Sequence, residues 1–450
     1  MIDSIDKIIT NIMEHIDVKT PEISQMVSYD WWEKFLSVTN NRTQTAVIKN
    51  AISIDDTNLL SGEILHVIQE LCRLRTNKYG YRVYVDDKLV KDDYLNYIFD
   101  NPPLPLEDVD QYADRVFKDQ NFGMIINGCE KFSDPLSKKL IELISPLLEI
   151  VGIPMVGLSV HTFVGNYGYT PLGIHKDNPG ENVIHFHLGP GRKTMYNWSD
   201  EVYEQINGKK KNEDKDFESL LPYAELYNFE KGDVYFMPWN KFHLGKTDGL
   251  SIGATVWFNN PPKKKLFDKI ISSLSQQYMV NDDSLKDIMT PVKDPYGQET
   301  LDELRDLLVV DENILNLSFN DAFKVLHDDY KLALFSNSGW KTRTTSLSDE
   351  KLFDVDNYIL LKDRIIKLTQ PFKIYSRRSI DGEEIIIFAR GSKLKMRYHP
   401  EIENIIHELN KGEEVNSAKL IEKLSVEWPE DAGLYILGLL YDKRAIEFNA

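Results

Sequence analysis

Two histidines and an aspartate have the types and the spacing of a metal site. In the segment GIHKDNPGENVIHFHLGPGRKTMYNW (173–198), His175 and Asp177 are two residues apart, so on a β-strand both side chains would point to one face. A third candidate, His243, follows the turn-like EKGD (230–233) and begins or precedes another predicted strand. Two imidazoles and one carboxylate on one face are the ligands of non-haem Fe(II) oxygenases, which keep coordination positions open. Spacing alone leaves a second possibility, that these are hydrogen-bonded polar residues at the rim of a barrel.

The same segment contains two further histidines, His185 and His187, which share one face of a predicted strand. Some barrel sites bind a metal through three histidines, so either ring is a candidate ligand. The other roles open to them are contact with a co-substrate or substrate, and ordinary hydrogen-bonded packing.

The elements that must position these groups are predicted to be strands. Short β-rich runs between 154 and 258, separated by turn residues, predict an antiparallel barrel or jelly roll. Residues 1–150 are predicted to be mostly helices joined by loops. A polar insertion, NGKKKNEDKD (207–216), is predicted to be a solvated loop. The segment NNPPKKK (259–265) ends the β-region, because its prolines break the pattern.

The remaining chain is predicted to be helical over 266–335 and to end in a smaller unit from about residue 371. FKIYSRR and EEIIIFAR are predicted as two strands joined by a turn, followed by helices around 399–410 and 416–425. The last segment, GLYILGLLYDKRAIEF, is predicted as a helix that leads into a strand. Three helices with a β-wing predict a winged helix.

The segments HKD, GPGRKTMYNW, EKGDVYFMPWNKFH and LSIGATVWF resemble JmjC/cupin-type 2-oxoglutarate oxygenases. Within these, the sequence is most similar to ribosomal-oxygenase-like proteins, strongly over about 150–260 and weakly over the whole architecture. The resemblance implies an α+β fold whose double-stranded β-helix (jelly-roll/cupin) catalytic core, with helical N-terminal elements, occupies 1–262. It also implies a helical dimerisation region in 263–370, a winged-helix-like domain in 371–450 and a homodimer.

The resemblance implies roles for individual residues as well. The implied catalytic iron ligands are His175, Asp177 and His243, with 2-oxoglutarate and O₂ as co-substrates of the Fe(II) centre. Lys193 would pair with the distal carboxylate of 2-oxoglutarate, whereas a shift of one residue in register would put Arg192 there instead. His187 and Ser251 are further candidate cofactor-binding residues.

The expected reaction is hydroxylation of a side chain in a protein or peptide. The chain has 53 basic and 71 acidic residues, a net charge of −18, which favours a basic partner and repels nucleic acid. Two alternatives use the same chemistry: a tailoring hydroxylase of a precursor peptide or small metabolite, and a demethylase. A demethylase would need an aromatic pocket for a methylated nitrogen. The candidates for that pocket, for which barrel packing is the favoured role, are Tyr167, Tyr169, Tyr196 and Trp198.

A different class of function, a metal-free binding protein whose winged helix reads nucleic acid, is disfavoured by charge. Residues 371–450 contain 12 Lys and Arg against 14 Asp and Glu, a net charge of −2, whereas a DNA-binding module usually has a basic face.

Cysteine usage and hydropathy predict a cytoplasmic protein without membrane association. Cys72 and Cys129 lie far apart and form no paired motif, which fits a reducing compartment. The N-terminus lacks the pattern of a signal peptide, and no apolar stretch is long enough to span a bilayer.

Overall fold

The protein is described from a computed structural model, which covers residues 28–78, 80–208, 216–278, 317–343, 355–422 and 429–448. The chain divides into two compact units, Met1–Pro261 with Gly339–Lys351, and Pro262–Ser338 with Leu352–Ala450. The predicted three-domain division, with boundaries at 262/263 and 370/371, remains a prediction. Both units combine helices with antiparallel sheets, so the α+β class is confirmed at this level.

The first unit is built on one ten-stranded antiparallel sheet. Its main path has the order β1-β9-β7-β10-β5-β4-β2-β3, with β6 paired to β10 and β8 paired to β7. The strands are β1 (Ala46–Ile48), β2 (Arg82–Val85), β3 (Lys88–Leu89), β4 (Phe122–Asn127), β5 (Leu158–Gly165), β6 (His175–Lys176), β7 (Glu181–Trp198), β8 (Glu225–Phe229), β9 (Val234–Met237) and β10 (Phe242–Asn259).

The two longest strands, β7 and β10, organise the site. They pair with each other along almost their whole length, with register shifts between Asp248 and Ser251 and between Ile252 and Gly253. At the first shift the strands approach so closely that a Cβ on Gly191 would lie 2.4 Å from the carbonyl oxygen of Asp248. Only glycine fits there. Because the side-chain period of a strand is two, these irregularities decide which residues of each strand face inward.

The first unit also contains six helices in the described residues. They are α1 (Tyr29–Val38), α2 (Ile54–Leu74), α3 (Asp92–Asp100), α4 (Val109–Phe117), α5 (Asp134–Val151) and α6 (Asp200–Asn207), with 3₁₀ turns at Cys129–Lys131 and Leu221–Tyr223. Ser53 and Ser133 cap the N-termini of α2 and α5 by accepting from backbone N–H groups. Trp32 is fully buried and its indole N–H donates to the carbonyl of Leu143 at 2.9 Å, which ties α1 to α5.

The prediction that residues 1–150 are mostly helical was incomplete. Four strands occur there, and β2 and β4 extend the central sheet beyond β5. In β4, FGMIIN, the first five residues are all buried, so it shows no alternation of apolar and polar residues. A short apolar run of this kind cannot be distinguished from a buried helix by periodicity.

The second unit has two three-stranded sheets, β15-β11-β16 and β12-β13-β14. Its strands are β11 (Ile365–Leu368), β12 (Tyr375–Arg378), β13 (Glu384–Ala389), β14 (Ser392–Arg397), β15 (Val415–Asn416) and β16 (Ile446–Phe448). Its helices are α7 (Lys263–Tyr278), α8 (Phe319–Ser336), α9 (Pro400–Asn410), α10 (Ser417–Ile421) and α11 (Glu430–Asp442), with a 3₁₀ segment at Val355–Leu361. The sequence predicted β12, β13 and the final helix-to-strand segment, and it missed β11, β14 and β15.

A buried carboxylate joins α8 to the three-stranded meander in this unit. Asp329 is 1% exposed and accepts from Arg377 Nε at 2.5 Å and from Lys393 Nζ at 2.7 Å. Two cations therefore compensate one buried charge. Two predictions fall outside the description: most of the insertion 207–216 lies outside the described residues, as does 279–316 of the helical middle region. No helix in the described ranges is long and apolar enough to cross a lipid bilayer.

Candidate metal centre

The three residues singled out by their spacing come together at the pairing of β6 with β10. His243 stands directly opposite His175 in the register, and their ring centroids are 4.2 Å apart. Asp177 follows β6 immediately. One ligand atom from each of the three residues lies within 4.8 Å of the other two. In the described part of the chain this is the one group of three or more potential ligands that meets such a distance limit.

Backbone carbonyls set the tautomer of both imidazoles. His175 Nδ1 lies 3.0 Å from the carbonyl oxygen of Gly173, and His243 Nδ1 lies 3.2 Å from that of Lys241. A carbonyl only accepts, so Nδ1 carries the proton in each ring and Nε2 carries the lone pair. Burial lowers the pKa of His243 to about 4, so its imidazole is neutral at pH 7. Neutral imidazoles held through the other ring nitrogen are typical metal ligands.

The carboxylate of Asp177 lies in surroundings that disfavour its charge. Burial raises its pKa to about 6, the nearby Glu181 adds to this, and His175 partly opposes it. A divalent cation between the two imidazoles and this carboxylate would supply the compensating charge. The donor set, two nitrogens and one oxygen, therefore fits Fe(II).

Lys176 lies between His175 and Asp177 in the chain. Its side chain anchors the short strand β6 on the face opposite to the one that carries these two ligands. Its Nζ forms an ion pair with Asp200, the first residue of α6, at 2.6 Å. The same ammonium lies 5.4 Å from the ring centroids of both Trp239 and Phe242. A strand of only two residues is thus held by a charged and an aromatic contact outside its backbone pairing.

A cavity of about 70 Å³ adjoins the three ligands. Side chains from β5 to β10 line it, and its apolar walls are formed by Phe163, Val183, Met195, Phe229, Tyr235, Met237 and Trp257. Such walls exclude water and strengthen electrostatic interactions inside.

Lys193 is the cation in this cavity. It is 6% exposed, its Nζ lies 5.1 Å above the ring of Phe163, and burial lowers its pKa to about 8. No carboxylate forms an ion pair with it among the described residues. The neighbouring Arg192 is 76% exposed and lies 3.5 Å from Glu230, so in this register Lys193 and not Arg192 faces inward.

Two candidate cofactor residues lie elsewhere. His187 and Ser251 are buried, yet neither lines the cavity in the described structure. His187 Nε2 instead donates to the carbonyl of Gly191 at 2.8 Å. His185 does line the cavity, and its Nδ1 lies 2.8 Å from Thr255 Oγ1.

Sequence reasoning missed Thr247 and the stack of His161 on Trp257. Thr247 is directly opposite Lys193 in the register, and its hydroxyl is buried without a partner in the described residues. It lies four residues after His243 on the same strand, so strand alternation could have indicated it. His161 stacks on Trp257 with a centroid distance of 4.4 Å, a contact between strands that sequence alone does not show.

The four aromatic residues considered for a methylated nitrogen do not line the cavity. Trp198 is buried among Ile174, Tyr203 and Leu244, and its indole N–H donates to the carbonyl of Leu220 at 3.1 Å. Tyr169 and Tyr196 pack against the same cluster, and Tyr167 is buried. Their role in the described structure is packing.

Comparisons with known proteins were made by sequence and by structure. No family model matches the sequence, and no curated protein matches it. The structure is similar to that of a ribosomal oxygenase from Escherichia coli, YcfD (14% identity, TM-score 0.46), with 93% of this chain and 98% of that chain covered. A second structure of YcfD matches over the same shares at 15% identity and a TM-score of 0.46. YcfD in complex with cobalt and 2-oxoglutarate matches over the same shares at 16% identity and a TM-score of 0.44. A Bacillus subtilis oxalate decarboxylase matches over only 32% of this chain and 26% of its own, at 12% identity and a TM-score of 0.18.

Proposed function

We propose that this protein is an Fe(II)- and 2-oxoglutarate-dependent oxygenase that hydroxylates a side chain of a protein or peptide. One observation carries the proposal: a two-histidine, one-carboxylate cluster shares a small apolar cavity with a buried lysine that forms no ion pair with a carboxylate of the described residues. A metal site alone fits many functions. A buried ammonium is costly without a counter-ion, so the lysine indicates that an anion binds in the same cavity.

The ligands proposed for the metal are His175, Asp177 and His243. Fe(II) bound there would supply open coordination positions at which 2-oxoglutarate and O₂ react to oxidise a C–H bond. The protein's part is to present two neutral imidazoles and one carboxylate on a single side of the ion. The apolar walls beside these ligands would also keep bulk water from the reaction.

Lys193 is proposed to hold the distal carboxylate of 2-oxoglutarate. When a dicarboxylate enters the cavity, its distal carboxylate would become the counter-ion of this ammonium, and a charge-assisted hydrogen bond would form between them. Thr247 lies directly opposite Lys193, but it does not line the described cavity, so no contact with the carboxylate is assigned to it. His187 and Ser251 stay predicted cofactor residues that only variants can test, since they do not line the described cavity.

The finer architecture belongs to the same proposal. We assign the strands around the cavity to a double-stranded β-helix, and the three helices with the β12–β14 meander to a winged helix. The helical region of 263–370 is proposed to form a homodimer. Light scattering that gave a monomer mass at micromolar concentration would contradict the dimer.

The substrate is proposed to be a basic protein or peptide, because the net charge of −18 attracts basic partners. The two cysteines are free and buried, which fits a cytoplasmic enzyme. The iron-loaded protein, incubated with 2-oxoglutarate and candidate peptides, is expected to release succinate and to add one oxygen atom to a peptide, as read by mass spectrometry. Loss of a methyl group would identify a demethylase instead, and modification of small metabolites but no peptide would identify a tailoring enzyme. An Asp177→Ala variant is the control, and turnover that is unchanged in it would contradict the proposed site.

A further inference from the structure

We infer that His185 is a second anchor for the dicarboxylate co-substrate, through a hydrogen bond from its Nε2–H to the carboxylate that Lys193 holds. The inference rests on the proposed function, since it names a further contact for the same co-substrate. Sequence reasoning favoured His187 for this kind of role, and the placement of the two rings reverses that choice.

His185 brings an unsatisfied polar atom to the cavity. The residue is 5% exposed and lines the cavity together with Lys193. Its Nε2 is buried and has no hydrogen-bond partner in the described structure. A buried donor without a partner is costly, so native structures rarely retain one unless something else satisfies it. A co-substrate that enters the cavity would supply the missing partner.

Thr255 prepares this nitrogen to donate. The hydroxyl of Thr255 lies 2.8 Å from His185 Nδ1 and directly opposite His185 in the pairing of β10 with β7. When the hydroxyl donates to Nδ1, the ring proton is on Nε2. Burial, reinforced by the charge of Lys193, holds the pKa of His185 well below its usual range, so the ring contributes a neutral N–H. Lys193 supplies the charge, and His185 supplies direction.

Gly253 has no side chain, and this leaves space for the imidazole ring of His185. A Cβ on Gly253 would lie 2.0 Å from His185 Cε1. A methyl group at this position could not avoid the overlap, so the imidazole ring would have to move. Gly253 does not have a positive φ, so space and not backbone conformation explains the glycine. The pair of a bare glycine and a buried imidazole is therefore a built feature of the cavity wall.

The other histidines do not fit the role. His187 also has a buried nitrogen without a partner, Nδ1, but its ring lies outside the cavity lining and its N–H is used by Gly191. His185 does not belong to the group of described residues close enough to share a metal, so a fourth-ligand role is not supported.

The test uses the full chain loaded with Co(II) and two ligands, measured by titration calorimetry. The first ligand is 2-oxoglutarate. The second is 2-oxopentanoate, which has the same metal-chelating end and chain length but a methyl group in place of the distal carboxylate. In the His185→Phe variant, which keeps a ring and removes both nitrogens, the dissociation constant for 2-oxoglutarate is expected to rise about 10- to 100-fold. That for 2-oxopentanoate is expected to change less than about threefold.

The matched control is His161→Phe, the same substitution on β5, which is separated from β7 by β10, at a ring that does not line the cavity. Both ligands are expected to bind to this variant as they do to the wild type. Gly253→Ala is a second route to the same loss, because it displaces the ring without altering its chemistry. Equal binding of 2-oxoglutarate by the wild type and His185→Phe would overturn the inference, as would an equal loss for both ligands. A wild-type protein that binds Co(II) but not 2-oxoglutarate would instead overturn the proposed function.

Discussion

His175 and His243 stand directly opposite each other where β6 pairs with β10, with ring centroids 4.2 Å apart. Each ring is oriented by a carbonyl two residues before it in the chain, that of Gly173 and that of Lys241. The geometry of the metal centre therefore depends on backbone register and local hydrogen bonds.

The first prediction follows from this preformed geometry. His243→Ala is expected to abolish Co(II) or Fe(II) binding and turnover while it leaves the melting temperature within a few degrees of the wild type, because an open site with only three protein ligands is not a folding core. Calorimetric metal titration and thermal denaturation would measure the two effects. Full activity in this variant would exclude His243 and bring His185 or His187 forward as the missing ligand.

The second prediction compares two adjacent basic residues. Lys193→Met should keep the metal but bind 2-oxoglutarate about 10- to 100-fold more weakly, because a charge-assisted contact of about 1.5–3 kcal/mol is lost. Arg192→Met should change binding little, since that side chain is exposed and lies beside Glu230. Dissociation constants for the metal-loaded variants would decide between them. The reverse result would mean that the register at the Gly189–Gly191 turn is shifted by one residue.

The residues in and around β6 and β7 show how much of the candidate site can be predicted from the sequence. The HxD spacing singled out His175 and Asp177, the family resemblance singled out Lys193, and the structure brings all three to one cavity. The alternation could not rank His185 against His187, because both lie on the inward parity of the strand. His185 lies opposite Thr255 and lines the cavity, whereas His187 lies opposite Gly253, next to the register shift between Ile252 and Gly253, and bulges of this kind have no reliable sequence signal.

The N-terminal strands show a second limit. Residues 82–85 and 122–127 are short and lie between strong helical segments, so helical periodicity dominated the prediction for the whole region. The first pairs with the second and the second pairs with β5, and these long-range contacts decide their conformation more strongly than local propensity does. The strands of the central region were easier to predict because turn residues separate them at regular intervals.

The third prediction concerns pH. Burial lowers the pKa of Lys193 to about 8, so the affinity of the metal-loaded protein for 2-oxoglutarate should be constant near pH 7 and fall as the pH rises above about 8. The stability of the ligand-free protein should show the opposite sign. The folded state binds fewer protons than the unfolded state between pH 8 and 10.5, so Lys193 makes the free energy of unfolding rise by roughly 3 kcal/mol across that window.

Lys193→Met supplies the control for both effects. The variant should lose the pH dependence of 2-oxoglutarate binding above pH 8 and the part of the stability profile that Lys193 causes. At pH 7 its ligand-free form should be more stable than the wild type, because a buried cation without a counter-ion has been removed. Urea denaturation at several pH values would measure this, and a less stable ligand-free variant at pH 7 would contradict the assignment of Lys193 as an uncompensated charge.

The last prediction concerns the second unit. Asp329 is buried and accepts from both Arg377 and Lys393, so Asp329→Asn leaves two cations without their shared counter-ion. Both cations are partly exposed, and the expected cost is therefore about 3 kcal/mol, at the low end of the range for breaking a buried ion pair. Asp268→Asn is the matched control, because it removes an exposed pair with Lys264 on a helix of the same unit and should cost less than about 0.5 kcal/mol. Urea denaturation would compare the two variants, and metal titration should find Co(II) affinity unchanged in both, since the ligands lie in the other unit. Equal stability of the two variants would mean that the buried carboxylate does not join α8 to the meander in solution.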